Sequence, residues 1–279
     1  MDVGIKTAND QFQSLTTVER TAIAVPVVGQ CVWDSDLRQI MVYMNATTGN
    51  AWQPIGNSIV CASTTRPVTP FEGQEIYETD TNRSWTYNGA AFVPNDMVFT
   101  DEAARDAAIT SPTEGMHAYI TGSTVAAATG AKTAVPTGIQ TIYNGTDWVC
   151  VTPISAGSTT SATSTSTSYV TTLTGDATAV SVTLNTGTSA LVYLDNVLSN
   201  SSLSTLYISF SVSGATTLAV VDSNAAITAP STANFTDCMS RSFIVTGLTA
   251  GINTFTLNYK VAGGTSTHKS RGIVVTGVA

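Results

Sequence analysis

Pro70-Phe71-Glu72-Gly73-Gln74-Glu75-Ile76-Tyr77 reads as a turn followed by a strand, and the chain uses the same phrase three times. Pro26-Val27-Val28-Gly29-Gln30-Cys31-Val32-Trp33 and Pro112-Thr113-Glu114-Gly115-Met116-His117-Ala118-Tyr119 share its form, P-x-x-G-x-x-x-aromatic. Each copy runs on to a Tyr and an Asn, then a Gly with an aromatic residue three positions later. The sets are Tyr43, Asn45, Gly49 and Trp52; Tyr87, Asn88, Gly89 and Phe92; and Tyr143, Asn144, Gly145 and Trp148. P-x-x-G is a turn that opens a strand, and Asn-Gly is the preferred pair for a type I′ hairpin turn, whose central residues both need positive φ. Each copy is therefore expected to be a small β-hairpin module with its own aromatic cluster. Pro26, Gly29, Pro70, Gly73, Pro112, Gly115, Asn88, Gly89, Asn144 and Gly145 are its structural turn positions.

Two copies are led by a short helix. Thr16 with Glu19 forms a capping box ahead of Arg20-Thr21-Ala22-Ile23, and Thr100-Asp101-Glu102 puts acids in the first turn ahead of Arg105-Asp106-Ala107-Ala108-Ile109. The second copy keeps Arg66 but shows no helix signal. The expected division is a docking segment over 1–14 and modules over 15–60, 61–97 and 98–154. Units of about 30 residues bury too little apolar surface to stand alone, so they must pack on each other or on other copies of the chain. Oligomerisation is the expectation.

Residues 155–168 hold 11 Ser or Thr in 14 positions and read as a linker. From Tyr169 the pattern becomes two-residue alternation. Phe255, Leu257, Tyr259 and Val261 face one way and Thr254, Thr256, Asn258 and Lys260 the other, and Leu206, Ile208, Phe210 and Val212 alternate likewise. Apolar bursts at 169–174, 179–184, 189–195, 206–212, 217–221, 242–246, 253–261 and 271–278 predict short strands, with 222–241 as the longest connection. The fold class is mainly β, and 169–279 is expected to be a jelly-roll-like β-sandwich.

Charge narrows the function. The 279 residues carry 11 Lys plus Arg against 19 Asp plus Glu, a net charge of −8, which excludes the cationic surface a nucleic-acid partner needs. No run approaches the roughly 18 apolar residues of a membrane helix, and Met1-Asp2-Val3-Gly4-Ile5-Lys6 has no export-signal pattern, so synthesis in the cytoplasm without membrane insertion is expected. Cys31, Cys61, Cys150 and Cys238 lack metal-type spacing and are expected to be free thiols. The N-x-S/T triplets at Asn45, Asn82, Asn144, Asn200 and Asn234 arise from composition.

Catalytic, cofactor and metal residues are all expected to be none. Only two histidines occur, His117 and His268, and neither has a nucleophile or acid at a hydrolase spacing. The acidic pairs Asp34/Asp36 and Glu78/Asp80 read as hairpin-turn chemistry rather than a glycosidase or calcium site. Of the tryptophans, Trp33, Trp52 and Trp148 hold repeat positions, which leaves Trp85 as the candidate for exposure. His268, Lys269 and Arg271, a cationic cluster in a Gly/Ser/Thr loop, are the candidate receptor contacts.

The module, clearest from Glu72-Gly73-Gln74-Glu75-Ile76-Tyr77-Glu78-Thr79-Asp80-Thr81 through Tyr87-Asn88-Gly89-Ala90-Ala91-Phe92, resembles repeats of minor tail, tail-fibre and head-fibre proteins of tailed phages. Val245-Thr246-Gly247-Leu248-Thr249-Ala250-Gly251, then Thr254 to Tyr259 and Arg271-Gly272-Ile273-Val274-Val275, is similar to the closing strands of a domain at the ends of phage minor tail proteins. The resemblance implies a virion protein, usually trimeric, whose N-terminal part docks on tail, baseplate or capsid proteins and whose C-terminal domain projects toward a host-surface glycan or protein. An appendage subunit, tail fibre or minor tail, is the first expectation and a capsid-bound head fibre or decoration protein the alternative. A tailspike enzyme would need a long β-helix, and a cellular lectin or adhesin an export signal.

Overall fold

A computed structural model describes residues 13–36, 39–44, 51–54, 58–81 and 83–279. Asn45 and Gly49 of the first copy, and most of the expected docking segment, lie outside these residues. The chain is mainly β and divides into two compact units, Met1–Asp96 and Met97–Ala279. Among the described residues no helix is long and apolar enough to cross a membrane.

The first unit is one design built twice. Strands β1 (Gln13–Leu15), β2 (Cys31–Asp34), β3 (Gln39–Met44) and β4 (Ala51–Pro54) form a sheet in that order, and β5 (Ser58–Cys61), β6 (Glu75–Glu78), β7 (Arg83–Tyr87) and β8 (Phe92–Pro94) form another. In each, the first strand is parallel to the second and the rest are antiparallel. The expected hairpin therefore has a fourth, leading strand, joined by the crossover that parallel neighbours require. In the first copy the crossover is helix α1 (Thr17–Thr21), closed by the expected box: Glu19 N–H donates to Thr16 Oγ1 and the Glu19 carboxylate accepts from Thr16 N–H at 2.8 Å. In the second a single 3-10 turn, Ser63–Thr65, stands where no helix was expected.

The P-x-x-G turn is the same object three times. Gln30 N–H donates to Val27 O at 2.8 Å, Gln74 to Phe71 O at 3.0 Å and Met116 to Thr113 O at 3.1 Å. Gly29, Gly73 and Gly115, third in each turn, have φ of +88°, +83° and +85°, as a type II turn demands. Each glycine amide then donates across the sheet to Tyr43, Tyr87 or Tyr143 O at 2.7, 2.7 and 2.8 Å, so the turn sets the register of the following strand. The Asn-Gly expectation needs correction. Gly89 and Gly145 have positive φ but Asn88 and Asn144 do not, which excludes type I′. Each Asn instead precedes the turn and its Oδ1 accepts two amides of it, from Ala90 and Ala91 or from Thr146 and Asp147, leaving Gly first of the central pair as in type II′.

In the second unit, β9 (Val98–Phe99), β10 (His117–Ile120), β13 (Ile139–Tyr143) and β14 (Trp148–Cys150) repeat the four-stranded module behind helix α2 (Glu102–Ala108). This copy is part of the C-terminal unit rather than of an N-terminal array. Its β10–β13 connection is long and supplies β11 (Ala127–Thr129) and β12 (Lys132–Ala134), one to each sheet of the sandwich. Those sheets run β11-β17-β22-β19-β20 and β12-β15-β23-β18-β21, with β16 also on β23. The remaining strands are β15 (Ile154–Ser158), β16 (Ala162–Ser164), β17 (Ser181–Thr186), β18 (Ser189–Asn200), β19 (Leu206–Gly214), β20 (Ala226–Thr228), β21 (Asp237–Thr246), β22 (Gly251–Val261) and β23 (Ser266–Val278). The connections β17–β18, β18–β19, β21–β22 and β22–β23 all switch sheet, which makes the two layers one cooperative sandwich.

The Ser/Thr tract is not a linker. It contributes most of β15 and all of β16, paired antiparallel with β23, and Ser158, Ala162 and Ser164 are buried. Threonine favours strands, and small side chains fit where two layers close. The segments 169–174 and 217–221, expected as strands, make only bridges, Val170 to Tyr259 and Leu218 to Val212. The expected connection 222–241 contains β20 and the start of β21. The alternation elsewhere holds: Phe255, Leu257, Tyr259, Val261, Leu206, Ile208 and Phe210 all face inward against Val192, Leu194, Leu198, Ile273 and Val275.

Candidate functional site

Every module closes an arginine over its aromatic cluster. The ring pairs Tyr43–Trp52, Tyr87–Phe92 and Tyr143–Trp148 have centroids 5.4, 5.2 and 5.4 Å apart. The Arg20 guanidinium lies 5.7 Å from the Trp52 ring, Arg66 4.2 Å from Trp85 and 5.6 Å from Phe92, and Arg105 4.6 Å from Trp148. The second copy ends on the smaller Phe92, and Trp85 from β7 supplies the missing ring area. Trp85 is therefore buried, and it is Trp33 that is exposed at 38 %, the reverse of the expectation.

The acidic pairs belong to the same clasp. Asp34 and Glu78, both fully buried, accept from Arg20 Nε at 2.8 Å and from Arg66 Nε. Asp36 and Asp80 accept the first amides of the helical turns, Thr17 N–H and Ser63 N–H, each at 2.9 Å. The third copy reverses the tie: Glu102 on α2 accepts from Thr124 N–H at 2.9 Å and from Ser123 Oγ. Its counterpart of Asp34 and Glu78 is Ile120, and Arg105 pairs with Asp106 at 2.8 Å. This chemistry holds the module together and presents nothing outward. His117 stands exposed on β10 with Nδ1 3.2 Å from Gln140 Nε2.

Of the candidate receptor contacts, His268 and Arg271 are 1 % and 2 % exposed, and this overturns the loop reading. Both lie in β23, where the pairing slips between Ser270 opposite Val197 and His268 opposite Leu198. A bulge breaks strict alternation, so His268 and Arg271 both turn inward and Lys269 alone stays out, donating to Thr236 Oγ1 at 2.7 Å. Asn196 Nδ2 donates to His268 Nδ1 at 2.7 Å, His268 Nε2 meets Ser266 Oγ at 3.1 Å, and Ser266 Oγ donates to Ser164 O at 3.0 Å. That sequence requires the neutral Nε2–H tautomer. Burial, and secondarily the Arg271 charge, push the His268 pKa down to about 4. Arg271 pairs with Asp176 and donates to Thr160 O at 2.9 Å, and Ser158 Oγ donates to Asp176 at 2.6 Å. The set is an internal polar seam.

The outer face of the β12-β15-β23-β18-β21 sheet carries a feature the sequence did not suggest. Lys132, Gly157, Gly272 and Asp195 stand in one row across β12, β15, β23 and β18. The two glycines leave a trench of about 200 Å³ whose walls include Ser155, Thr159, Ser270 and Val274. Lys132 and Asp195 are three strand spacings apart, about 14 Å. No single segment encodes the trench: its residues come from four strands, and only the pairing register unites them. Among the described residues no group of three or more His, Cys, Asp or Glu is placed to hold a metal ion, and the four cysteines are free thiols.

No family model and no curated protein matches the chain. Among solved structures it is similar to Eiger TNF from S. frugiperda, at 9 % identity and TM-score 0.33 over 45 % of this chain and 92 % of that one. It is also similar to infectious bursal disease virus Gx strain, at 14 % identity and TM-score 0.34 over 50 % of this chain and 42 % of that one. The xylan-binding module CBM15 is matched at 13 % identity and TM-score 0.21 over 59 % of this chain and 99 % of that module. Scores this low carry no argument about what the chain does.

Proposed function

We propose that the chain is a non-catalytic structural and adhesive subunit of a tailed-phage appendage, assembled as a homotrimer. One observation carries the reading: a module with the same turn and the same ring pair under an arginine is built three times, and in the first two copies a buried acid ties that arginine down. Repeated modules followed by a sandwich suit a particle component built for assembly rather than for chemistry. The division of labour follows the two compact units rather than the Ser/Thr tract, with residues 1–96 holding the particle and 97–279 meeting the host surface. A tail position is the first assignment; a head fibre shares every feature named here.

Particles from the phage that encodes the chain test this directly. Mass spectrometry finds the chain in gradient-purified particles, and particles made with residues 97–279 deleted retain residues 1–96 while losing attachment. Absence of the chain from particles, or failure of the truncated chain to incorporate, refutes the reading. In solution the assembly should weigh three times the 28.9 kDa chain mass.

A further inference from the structure

We propose that the trench between Lys132 and Asp195 binds one neutral polyhydroxylated ring, a hexose or N-acetylhexosamine unit of a surface glycan. The proposal rests on the adhesive reading and names where contact is made.

The two floor glycines are bare for different reasons. A Cβ on Gly157 would lie 2.7 Å from Arg271 O, so close approach of two backbones demands glycine there. On Gly272 the nearest atoms to a Cβ all belong to the Asp195 side chain, Oδ1 at 2.4 Å first. Gly272 therefore makes room for a carboxylate to lie flat on the sheet. Folding gains nothing visible from that room. Among the described residues Asp195 closes no side-chain hydrogen bond and no ion pair; burial raises its pKa, and the Lys132 charge only partly opposes this. A half-buried carboxylate without a partner weakens a fold, and such a group in a cleft is a candidate ligand contact.

The chemistry of the walls selects the ligand. A carboxylate accepts two neighbouring hydroxyls at once, while a lysine ammonium donates to hydroxyl or ring oxygens. Ser155, Thr159 and Ser270 add hydroxyls that serve as donor or acceptor. Tyr193, 41 % exposed on the same face two residues before Asp195, offers a ring against which the C–H face of a sugar can lie. A bound anion would meet Asp195 and a bound cation Lys132, so a neutral ligand is favoured. The volume of about 200 Å³ falls below that of sites for drug-sized ligands and suits one ring. Asp195 is the sole carboxylate of the lining, and glycosidic hydrolysis takes two, so the site binds without cleaving.

Saturation-transfer NMR on the full chain, with the methyl glycosides of glucose, galactose and N-acetylglucosamine at millimolar concentration, reads the site. Transfer to at least one sugar is expected, with affinity about tenfold weaker in Asp195→Asn and in Gly272→Ala. Asp195→Asn should leave Tm unchanged or raise it by about 2 °C, because it removes an unpartnered charge. No transfer to any of the three sugars, equal affinity in both variants, or a Tm loss beyond about 4 °C in Asp195→Asn overturns the proposal. Particle adsorption separates it from the adhesive reading. If Asp195→Asn particles adsorb normally while particles lacking the chain do not, the trench assignment falls and adhesion stands. If particles lacking the chain adsorb normally, adhesion falls.

Discussion

Acidification should loosen the second unit through His268, and the size of the effect follows from the polar seam. The imidazole accepts from Asn196 through Nδ1, so protonation breaks that bond and places a cation beside Arg271. The folded pKa is about 4 against 6.5 for the free side chain. Between those values the unfolded chain binds the extra proton, so stability is full above about pH 6.5 and is lost as pH falls toward 4. A gap of 2.5 units at about 1.4 kcal/mol each gives about 3 kcal/mol, undiscounted because the side chain is buried. In a unit of this size that is roughly 6 to 12 °C in Tm. Asp176, held low by Ser158 and Arg271, loses its contribution only below the ordinary carboxylate range, and so outside this window. Asp195, held high, gains stability with falling pH and opposes His268 in part. The clean measurement is therefore a difference: thermal unfolding of wild type and of His268→Gln from pH 7 to pH 4. The variant should be less stable at pH 7 but show a flatter slope. Parallel curves would refute the assignment of this window to His268, as would a 15N spectrum showing protonated Nδ1 at pH 7.

Other expectations concern the modules and thiols. A Cβ on Gly73 would meet no atom within 4 Å, so the cost of Gly73→Val comes chiefly from backbone strain at φ +83°, about 1 to 3 kcal/mol in urea unfolding, and Gly73→Asn should cost less. Glu78→Gln leaves Arg66 without its acid and should cost about 2 kcal/mol, discounted because the Arg66 side chain is 30 % exposed. The double variant Arg66→Met, Glu78→Leu should recover most of that loss, and a cycle showing simple additivity would argue against the clasp. Cys238 should alkylate in the native protein while Cys150, buried and with its thiol pKa pushed up by desolvation, reacts only on unfolding; peptide mass spectrometry separates the two.

The turn grammar was legible because it is local. P-x-x-G forces a positive φ on one glycine whatever the tertiary context, and the alternation of β19 and β22 survives because those strands lie between two others in a sheet. What could not be read depends on pairing between distant segments. The Ser/Thr tract has the composition of a linker and becomes sheet because β23 offers it an unpaired edge, over a hundred residues away in sequence. His268 and Arg271 looked like a loop because one bulged residue upsets the two-residue count. The trench was invisible for the same reason, since Lys132 and Asp195 share a row only after four strands find their register. Trp85 was misplaced because substitution of Phe92 for tryptophan in the same module shifts the buried ring to a neighbouring strand.

The departure of the third module from its siblings follows from where it is built. In the first two copies the residue after the strand aromatic is an acid, buried against an arginine that lies in a small cluster of its own. Burying such a pair costs desolvation on both sides, which attraction offsets only when every remaining polar atom is satisfied. Asp34 meets that condition with Thr17 Oγ1 and Asp36 N–H, and Glu78 with Thr81 Oγ1. The third copy shares its core with the sandwich: Ile120, Ile139 and Trp148 belong to the same apolar cluster as Phe210, Phe255 and Leu257. An acid at position 120 would carry its charge into that apolar cluster, where burial penalises it. Isoleucine there converts a closed module into one that can be continued, and the acid reappears as Asp106 at the exposed edge, where Arg105 reaches it without burying both charges. The same logic explains why this copy alone carries β11 and β12: a module whose core stays open on one side must be sewn to whatever covers it.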